Sequence, residues 1–198
     1  VYLRYTLSAG VVLLLAAVLL YTLTGDQSFS SEEGLGDYLN DHRGLLTLIF
    51  ILLVGGLGVK AAMVPLHGWL PRAMVAPAPV SALLHAVAVV KAGAFGILRV
   101  VYDLYGIELS VELGVISGLA VAASITIIYG SLRAIAQQEL KPLLAFSTVS
   151  QVSYIILGIG IFGPFGTVGA MAHLLHQGLM KVTLFFCSLF KFVFFIHT

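Results

Sequence analysis

Six stretches of this 198-residue sequence are long and apolar enough to cross a bilayer as helices. A helix needs about 20 apolar residues to span roughly 30 Å of hydrocarbon. We place the spans near 4–23, 45–66, 79–101, 113–132, 143–162 and 168–195. Charged residues are 10% of the sequence, against roughly 25% in soluble domains. The sequence therefore predicts an all-α, polytopic transmembrane helical bundle that forms one domain over residues 1–198.

Charges in the segments between these spans alternate in sign. The two acidic loops carry Asp26, Glu32, Glu33, Asp37 and Asp41, and then Asp103, Glu108 and Glu112; the opposite side carries Arg4, Arg72, Arg133 and Lys141, with Glu139 its one acid. Loops rich in lysine and arginine stay in the cytoplasm. We expect both ends of the chain to be cytoplasmic and the acidic loops to lie outside.

Composition excludes several classes of function. The net charge is +1, so nothing favours a nucleic-acid partner. The single cysteine, Cys187, offers neither a disulfide framework nor an iron–sulfur site. His173 and His176 lack an evident third ligand for a metal. We expect no cofactor and no metal in this chain. Because it begins at Val1 inside an apolar run, we also expect both ends to be cut from a longer protein.

Ionisable side chains inside the predicted spans are the main functional candidates, because burying them in lipid costs several kcal/mol. Lys60 lies in the second span, about two turns from its end. The others are His85 and Lys91 in the third span and His173, His176 and Lys181 in the sixth. All 9 carboxylates fall in loops or at span ends. The deep lysines therefore either change protonation state or have partners elsewhere, and both interpretations suit a proton carrier.

Glycines and a proline surround Lys60. Gly55, Gly56 and Gly58 precede it, and Pro65 follows five residues later. Interrupted helices beside a charged residue form the ion sites of many transporters, so we predict a broken helix near Lys60. Glycines also mark close helix–helix packing, which is the alternative interpretation.

The sixth span carries a polar stripe. His173, His176 and Gln177 are spaced i, i+3 and i+4, and Lys181 follows Gln177 by four residues, so we predict that they share one helix face. His173 to Lys181 covers about 12 Å of rise. Bridged by water, such a stripe could carry protons partway across the membrane, and histidine titrates in a suitable range.

Four sequence motifs resemble those of one family, the antiporter-like membrane subunits of respiratory complex I, Mrp-type sodium/proton antiporters and energy-converting hydrogenases. The motifs are Val59 to Pro71, Ala76 to His85 with Val90 to Gly93, Gln138 to Gln151, and His173 to Phe186. The resemblance covers nearly the whole chain up to about Cys187. It implies an inverted-repeat fold of which this chain would match helices six to eleven.

The resemblance also implies roles. Lys60 would be the central switch, Lys91 and His85 the relay, and His173, His176 and Lys181 the onward path, with a glutamate on helix five pairing with Lys60. It implies other membrane subunits as partners, protons or sodium as the ions moved, and the plasma membrane of a bacterium or archaeon. The sequence departs from the family at Lys141-Pro142, where a lysine–arginine pair is usual, at Gln177, where a histidine is common, and over residues 189–198.

Two other functions remain open from the sequence. The chain could be a non-conducting scaffold that anchors a peripheral redox arm, or a transporter that holds a small organic anion near Gly55 to Lys60. Whether it counts as part of an enzyme is also open. It has no redox ligands of its own, but the resemblance suggests a subunit of a NADH:quinone oxidoreductase-type translocase.

Overall fold

The computed structural model describes residues 2–25, 35, 39–75, 81, 88–161 and 163–196, and no β-strand occurs among them. The α-helices with described bounds are α1 (Tyr2–Thr24), α2 (Leu39–Lys60), α3 (Trp69–Arg72), α4 (Val89–Arg99), α5 (Gly106–Glu112), α6 (Val115–Ile135), α7 (Leu140–Gly160) and α8 (Pro164–Ile196). The 3₁₀ turns Leu66–Gly68 and Ala73–Val75 flank α3, and a π-helical segment, Val100–Tyr105, continues α4.

Four described helices are long and apolar enough to cross a membrane: Tyr2–Thr24, His42–Lys60, Val115–Ile135 and Leu140–Gly160. Their most apolar windows have mean hydropathies of 1.6 to 2.3. The prediction of an all-helical, membrane-embedded chain is therefore confirmed. The count of six spans stays a prediction, since residues 79–80 and 82–87 of the third predicted span lie outside the described residues.

The second predicted span has different limits in the structure. The α2 helix begins at Leu39, is interrupted at His42 and ends at Lys60, whereas the prediction was 45–66. Its last bond runs from the Ala61 amide to the Leu57 carbonyl, 2.8 Å away. Ala62 then takes a left-handed φ of 56°, which cannot continue a right-handed helix. The placement of Lys60 two turns inside a helix was therefore wrong, because Lys60 is the last residue of α2.

The α7 helix is the centre of the structure. It packs against α6, α8 and α4, while α1 packs on α2 and α2 on α4. Its fully buried apolar side chains are Ala145, Val149, Val152, Ile155, Ile156 and Ile159. In lipid such contacts stabilise the bundle through close packing rather than through exclusion of water.

The α7 and α8 helices cross at a pair of glycines. A Cβ atom on Gly166 would lie 2.7 Å from the Gly158 carbonyl oxygen, and one on Gly158 would lie 3.0 Å from the Gly166 oxygen. The two backbones therefore touch at this point with no side chain between them. Away from the crossing, the helices diverge enough to hold side chains.

The α1 helix presents an apolar outer face. Leu3, Leu7, Val11 and Leu14 are each at least 66% exposed. Such a face is costly in water, whereas hydrocarbon accepts it. The opposite side of α1 packs on α2, where the side chain of Leu13 covers Gly56.

Candidate functional site

Lys60 lies where α2 ends, a position at which the helix dipole favours positive charge. Its side chain is half-buried. It borders a cavity of about 290 Å³, together with Tyr2 and Thr6 of α1, Trp69 of α3, and Val89 and Ala92 of α4. The cavity is mostly apolar, and Lys60 is the one basic side chain among these lining residues. The end of α2 thus presents a basic side chain to a partly open cavity.

The turn after Lys60 satisfies the free carbonyl groups of the α2 terminus. The Trp69 indole Nε1 donates to the Val59 oxygen at 2.6 Å, and the Met63 amide donates to the Gly58 oxygen at 2.9 Å. The Val64 amide donates to Thr126 Oγ1 of α6 at 3.2 Å, and the Val64–Pro65 peptide bond is cis. These bonds fix the end of α2 against α3 and α6, and so fix the backbone of Lys60.

Trp69→Phe should lower the stability of the subunit by about 1–3 kcal/mol, because Trp69 is only 2% exposed and the change leaves the buried Val59 carbonyl without its indole donor. Thermal unfolding of the complex in detergent would show this as a lower Tm. Tyr21→Phe, which removes a hydroxyl from a side chain that is 48% exposed, should leave the Tm unchanged. Equal Tm values for the parent and Trp69→Phe would contradict the role of this bond.

The glycines near Lys60 differ in what surrounds them. A Cβ on Gly56 would lie 2.5 Å from Leu13 Cγ, so Gly56 allows α1 and α2 to approach closely. A Cβ on Gly58 would make an ordinary 3.5 Å contact with Met63 Sδ, and one on Gly55 would meet nothing within 4 Å. Pro65 is exposed in the turn. Close helix–helix packing, the alternative interpretation, thus explains the glycine at position 56. No close contact explains the glycine at position 55.

Lys91 lies in the first turn of α4 and is half-buried. Two residues later, Gly93 meets the backbone of α2: a Cβ there would lie 2.9 Å from both the Leu57 oxygen and the Lys60 carbonyl carbon. This contact brings the first turn of α4 against the end of α2. Lys91 and Lys60 are therefore carried by two helix ends that touch. His85 lies outside the described residues.

His173 faces α7 from α8. Its ring lies beside the Gln151 backbone and close enough to Lys91 for their charges to interact, and its centroid is 6.3 Å from that of Tyr154. Its Nε2 atom is buried and has no hydrogen-bond partner among the described residues. A groove lined by Gln151, Tyr154 and Gly166 runs past it. The structure thus brings Lys91 and His173 into one neighbourhood.

Lys181 is the most deeply buried charged side chain described, at 2% exposure. Its Nζ donates to Ser147 Oγ and to the Leu144 carbonyl oxygen at 3.3 Å, both on α7. Within the described ranges no carboxylate pairs with it; the ion pair found there joins Arg99 and Asp103. Burying an ammonium group with neutral partners alone is costly.

The stripe on α8 is divided between two sides of the helix. Gln177 is fully buried, and neither atom of its side-chain amide has a partner in the part of the chain that the structure describes. His173, Gln177 and Lys181, spaced by four residues, face inward, whereas His176 is exposed. His176 thus lies on a different side of α8 from Gln177 and Lys181, but near enough to His173 for their charges to interact. Lys141, at the first turn of α7, is also exposed.

Sequence reasoning missed the neutral groups that hold the basic ones. Ser147, Gln151, Thr126 and Trp69 each contact a candidate residue or its turn. Ser147 and Gln151 lie in one of the four motifs, and Trp69 in another. Their place in those motifs was the available signal. A serine inside a helix usually bonds its own backbone, however, so nothing in the sequence singles out Ser147.

Comparison with known proteins identifies the family. The sequence profile described as "NADH:quinone oxidoreductase/Mrp antiporter, TM" matches residues 1–192. A Staphylococcus aureus protein provisionally named antiporter subunit mnhA2 is 36% identical over 194 residues, which cover 91% of this chain and 24% of that protein. The chain thus spans about a quarter of the length of the curated relatives it matches.

Solved structures show the same fold. A chain in the Mrp complex from Dietzia sp. DQ12-45-1b superposes with a TM-score of 0.82 at 29% identity, covering 93% of this chain and 33% of that one. A chain of the membrane-bound sulfane sulfur reductase, an archaeal respiratory membrane complex, gives 0.80 at 23% identity, covering 93% and 37%. These relatives are subunits of multisubunit membrane complexes. With its apolar helices and a profile match over residues 1–192, the chain is an integral membrane protein that belongs to the NADH:quinone oxidoreductase/Mrp antiporter transmembrane family.

Proposed function

We propose that this chain moves protons, or exchanges sodium for protons, through a series of buried basic side chains in an antiporter-like membrane subunit. The observation that supports this best is Lys181, which is 2% exposed and held by a hydroxyl and a carbonyl rather than a carboxylate. A buried lysine without a counter-ion readily loses its proton, so it can pass protons. Membership of the family supports the same function.

In this proposal Lys60 is the central switch. It borders a partly open cavity and lies at the negative end of the α2 dipole. The short helical turns from Leu66 to Val75 would continue its span as the second half of a broken helix. Movement of a proton to or from Lys60 would change the charge next to the first turn of α4.

Lys91 and His85 form the relay, and His173, His176 and Lys181 the onward path. The contact of α4 with α2 through Gly93 supports the first step, and the electrostatic proximity of Lys91 to His173 supports the second. Gln177 lies between His173 and Lys181 on the inward face of α8. Its amide, together with water, would complete the path between them.

The same proposal extends to the orientation of the segment, its partner subunits and its source of energy. Six spans would place both ends of this segment in the cytoplasm of a bacterium or archaeon, with other membrane subunits around it. Electron transfer in a neighbouring subunit, or a sodium gradient, would supply the energy.

Lys60→Ala should lower proton movement at least fivefold, because the path loses its switch. The test uses the full-length subunit in its native complex, in sealed everted vesicles, with a pH-sensitive dye and with NaCl or NADH as the driving addition. The amount of assembled complex must be equal in both membranes. An undiminished pH gradient at equal assembly would contradict the proposal and favour a non-conducting scaffold that anchors a peripheral arm.

A further inference from the structure

The Ser147 hydroxyl has two partners, and both belong to the site of Lys181. Ser147 Oγ donates to the Leu144 carbonyl oxygen at 3.0 Å, one turn back on α7. It also accepts a hydrogen bond from Lys181 Nζ. The same Leu144 oxygen accepts from Lys181 at 3.3 Å. The three groups thus form a closed triangle between α7 and α8.

The arrangement fits a charged Lys181. An ammonium group has three donors and no acceptor. With its own proton directed to Leu144, Ser147 turns its lone pairs toward Nζ, so that both neighbours of Lys181 act as acceptors. Charge-assisted bonds of this kind are roughly twice as strong as neutral ones.

The same hydroxyl also fits a neutral Lys181. A neutral amine has a lone pair that needs a donor, and a hydroxyl can donate or accept according to its rotation. If Lys181 gives one proton to water in the path, the Ser147 O–H can rotate away from Leu144 and donate to Nζ. The O–H bond stays intact throughout, and the freed Leu144 oxygen can accept an N–H of the amine.

We propose that Ser147 is a positioning residue for proton transfer, which holds Lys181 in one place in both of its protonation states by rotating its hydroxyl. This inference rests on the proposed role of Lys181 and adds a residue to it. An alanine could hold neither state, and an ionised carboxylate, which only accepts hydrogen bonds, would favour the charged one.

Within the described residues, Lys181 is the one charged group that bonds to this triangle. The elements that pack around Lys181 are α7 and the Ala73–Val75 turn, whose Met74 lies in one cluster with Leu144 and Phe185. Charged or imidazole side chains on or next to these elements are Lys141 and Arg72, both exposed, and His173 and His176 on α8 itself. Three more lie near the Ser147 turn of α7: Glu139 at its N-cap, Arg133 over the Phe146 ring and His67, 6.2 Å from that ring. None of them forms a described bond with Lys181, so the pH response should depend on Ser147.

The test compares pH profiles of proton movement in vesicles that hold the full complex. Ser147→Ala removes an acceptor from the ammonium form, so the pH of half-maximal transport should fall by about one unit. Ser147→Thr keeps the hydroxyl and should restore the parent profile. Ser153→Ala is the matched control: this buried serine on α7 bonds its own helix, the Val149 oxygen, at 3.0 Å, and the change should leave the profile unmoved.

Lys181→Met distinguishes a failure of the proposed role of Lys181 from a failure of the role of Ser147. If Lys181→Met transports normally, the proposed role of Lys181 fails. If Lys181→Met is inactive but Ser147→Ala has the parent profile at equal assembly, the role of Ser147 alone is overturned. If Ser147→Ala does not assemble, Ser147→Cys, which keeps a weaker donor and acceptor of similar size, gives the same readout: a profile shifted in the same direction supports the role, and a parent profile overturns it.

Discussion

Replacing Lys181 with methionine is expected to reduce proton movement at least tenfold while leaving the subunit as stable as the parent, or more stable. Lys181 is 2% exposed and its partners among the described residues are neutral, so its charge is a cost to the folded state. Replacing buried ionic groups by apolar side chains of similar volume is often neutral or stabilising by about 1–4 kcal/mol. A loss of function with no loss of stability is characteristic of a functional residue rather than a structural one.

Lys181→Arg tests whether the residue must change its protonation state. Arginine keeps a positive charge at every pH of interest, so a fixed charge would be preserved while proton release would be lost. We expect this variant to be inactive too. Transport would be followed with a pH-sensitive dye in sealed vesicles, and stability by the Tm of the purified complex. Normal transport by the methionine variant would remove Lys181 from the path, and normal transport by the arginine variant would show that only its charge matters.

Gly93→Leu is expected to reduce the amount of assembled complex at least tenfold. A Cβ at this position would lie 2.9 Å from the Leu57 oxygen and from the Lys60 carbonyl carbon. These are backbone atoms at the end of α2, which cannot rotate aside as a flexible side chain does. Gly93→Ala should have a smaller effect, about 1–3 kcal/mol of overpacking, and should move α4 away from Lys60.

The control for Gly93 is Gly118→Leu on α6, because a Cβ on Gly118 would meet nothing within 4 Å. Native gels of solubilised membranes, quantified by immunoblotting, would report assembly, and the Tm of whatever complex forms would report packing. Full assembly of Gly93→Leu would mean that α4 does not touch the end of α2. Failure of both leucine variants to assemble would show instead that glycine replacement in these helices disturbs insertion in general.

Much of the fold could be predicted because long apolar runs leave few alternatives to membrane helices. The end of α2 is a feature that hydropathy does not predict. The run from Leu45 to Leu66 is apolar except for Thr47 and Lys60, so hydropathy does not detect that the helix ends at Lys60. That end is set by the left-handed conformation of Ala62 and by two hydrogen bonds. Trp69 donates to the Val59 oxygen, and Thr126 accepts from the Val64 amide. Hydropathy does not report such contacts.

The polar stripe on α8 illustrates the same limit at the site. A spacing of i, i+3 and i+4 groups His173, His176 and Gln177 on one side of a helix, but it does not decide which edge of that side meets a neighbour. Packing against α7 buries Gln177 and leaves His176 exposed. Ser147 could not be predicted as the partner of Lys181, because that depends on which face of α7 lies opposite.

The glycine contact between α7 and α8 is the point about which the crossing angle of the two helices can change. Gly158 and Gly166 fix the point where the two backbones touch. When the angle between the helices changes, the helices therefore rotate about this point. Lys181 is 15 residues along α8 from Gly166, or about 22 Å at 1.5 Å per residue. A rotation of only about 5° would displace it by about 2 Å, which exceeds the tolerance of a hydrogen bond. Small angular changes at one end of the bundle would therefore make or break the contact of Lys181 with Ser147 at the other.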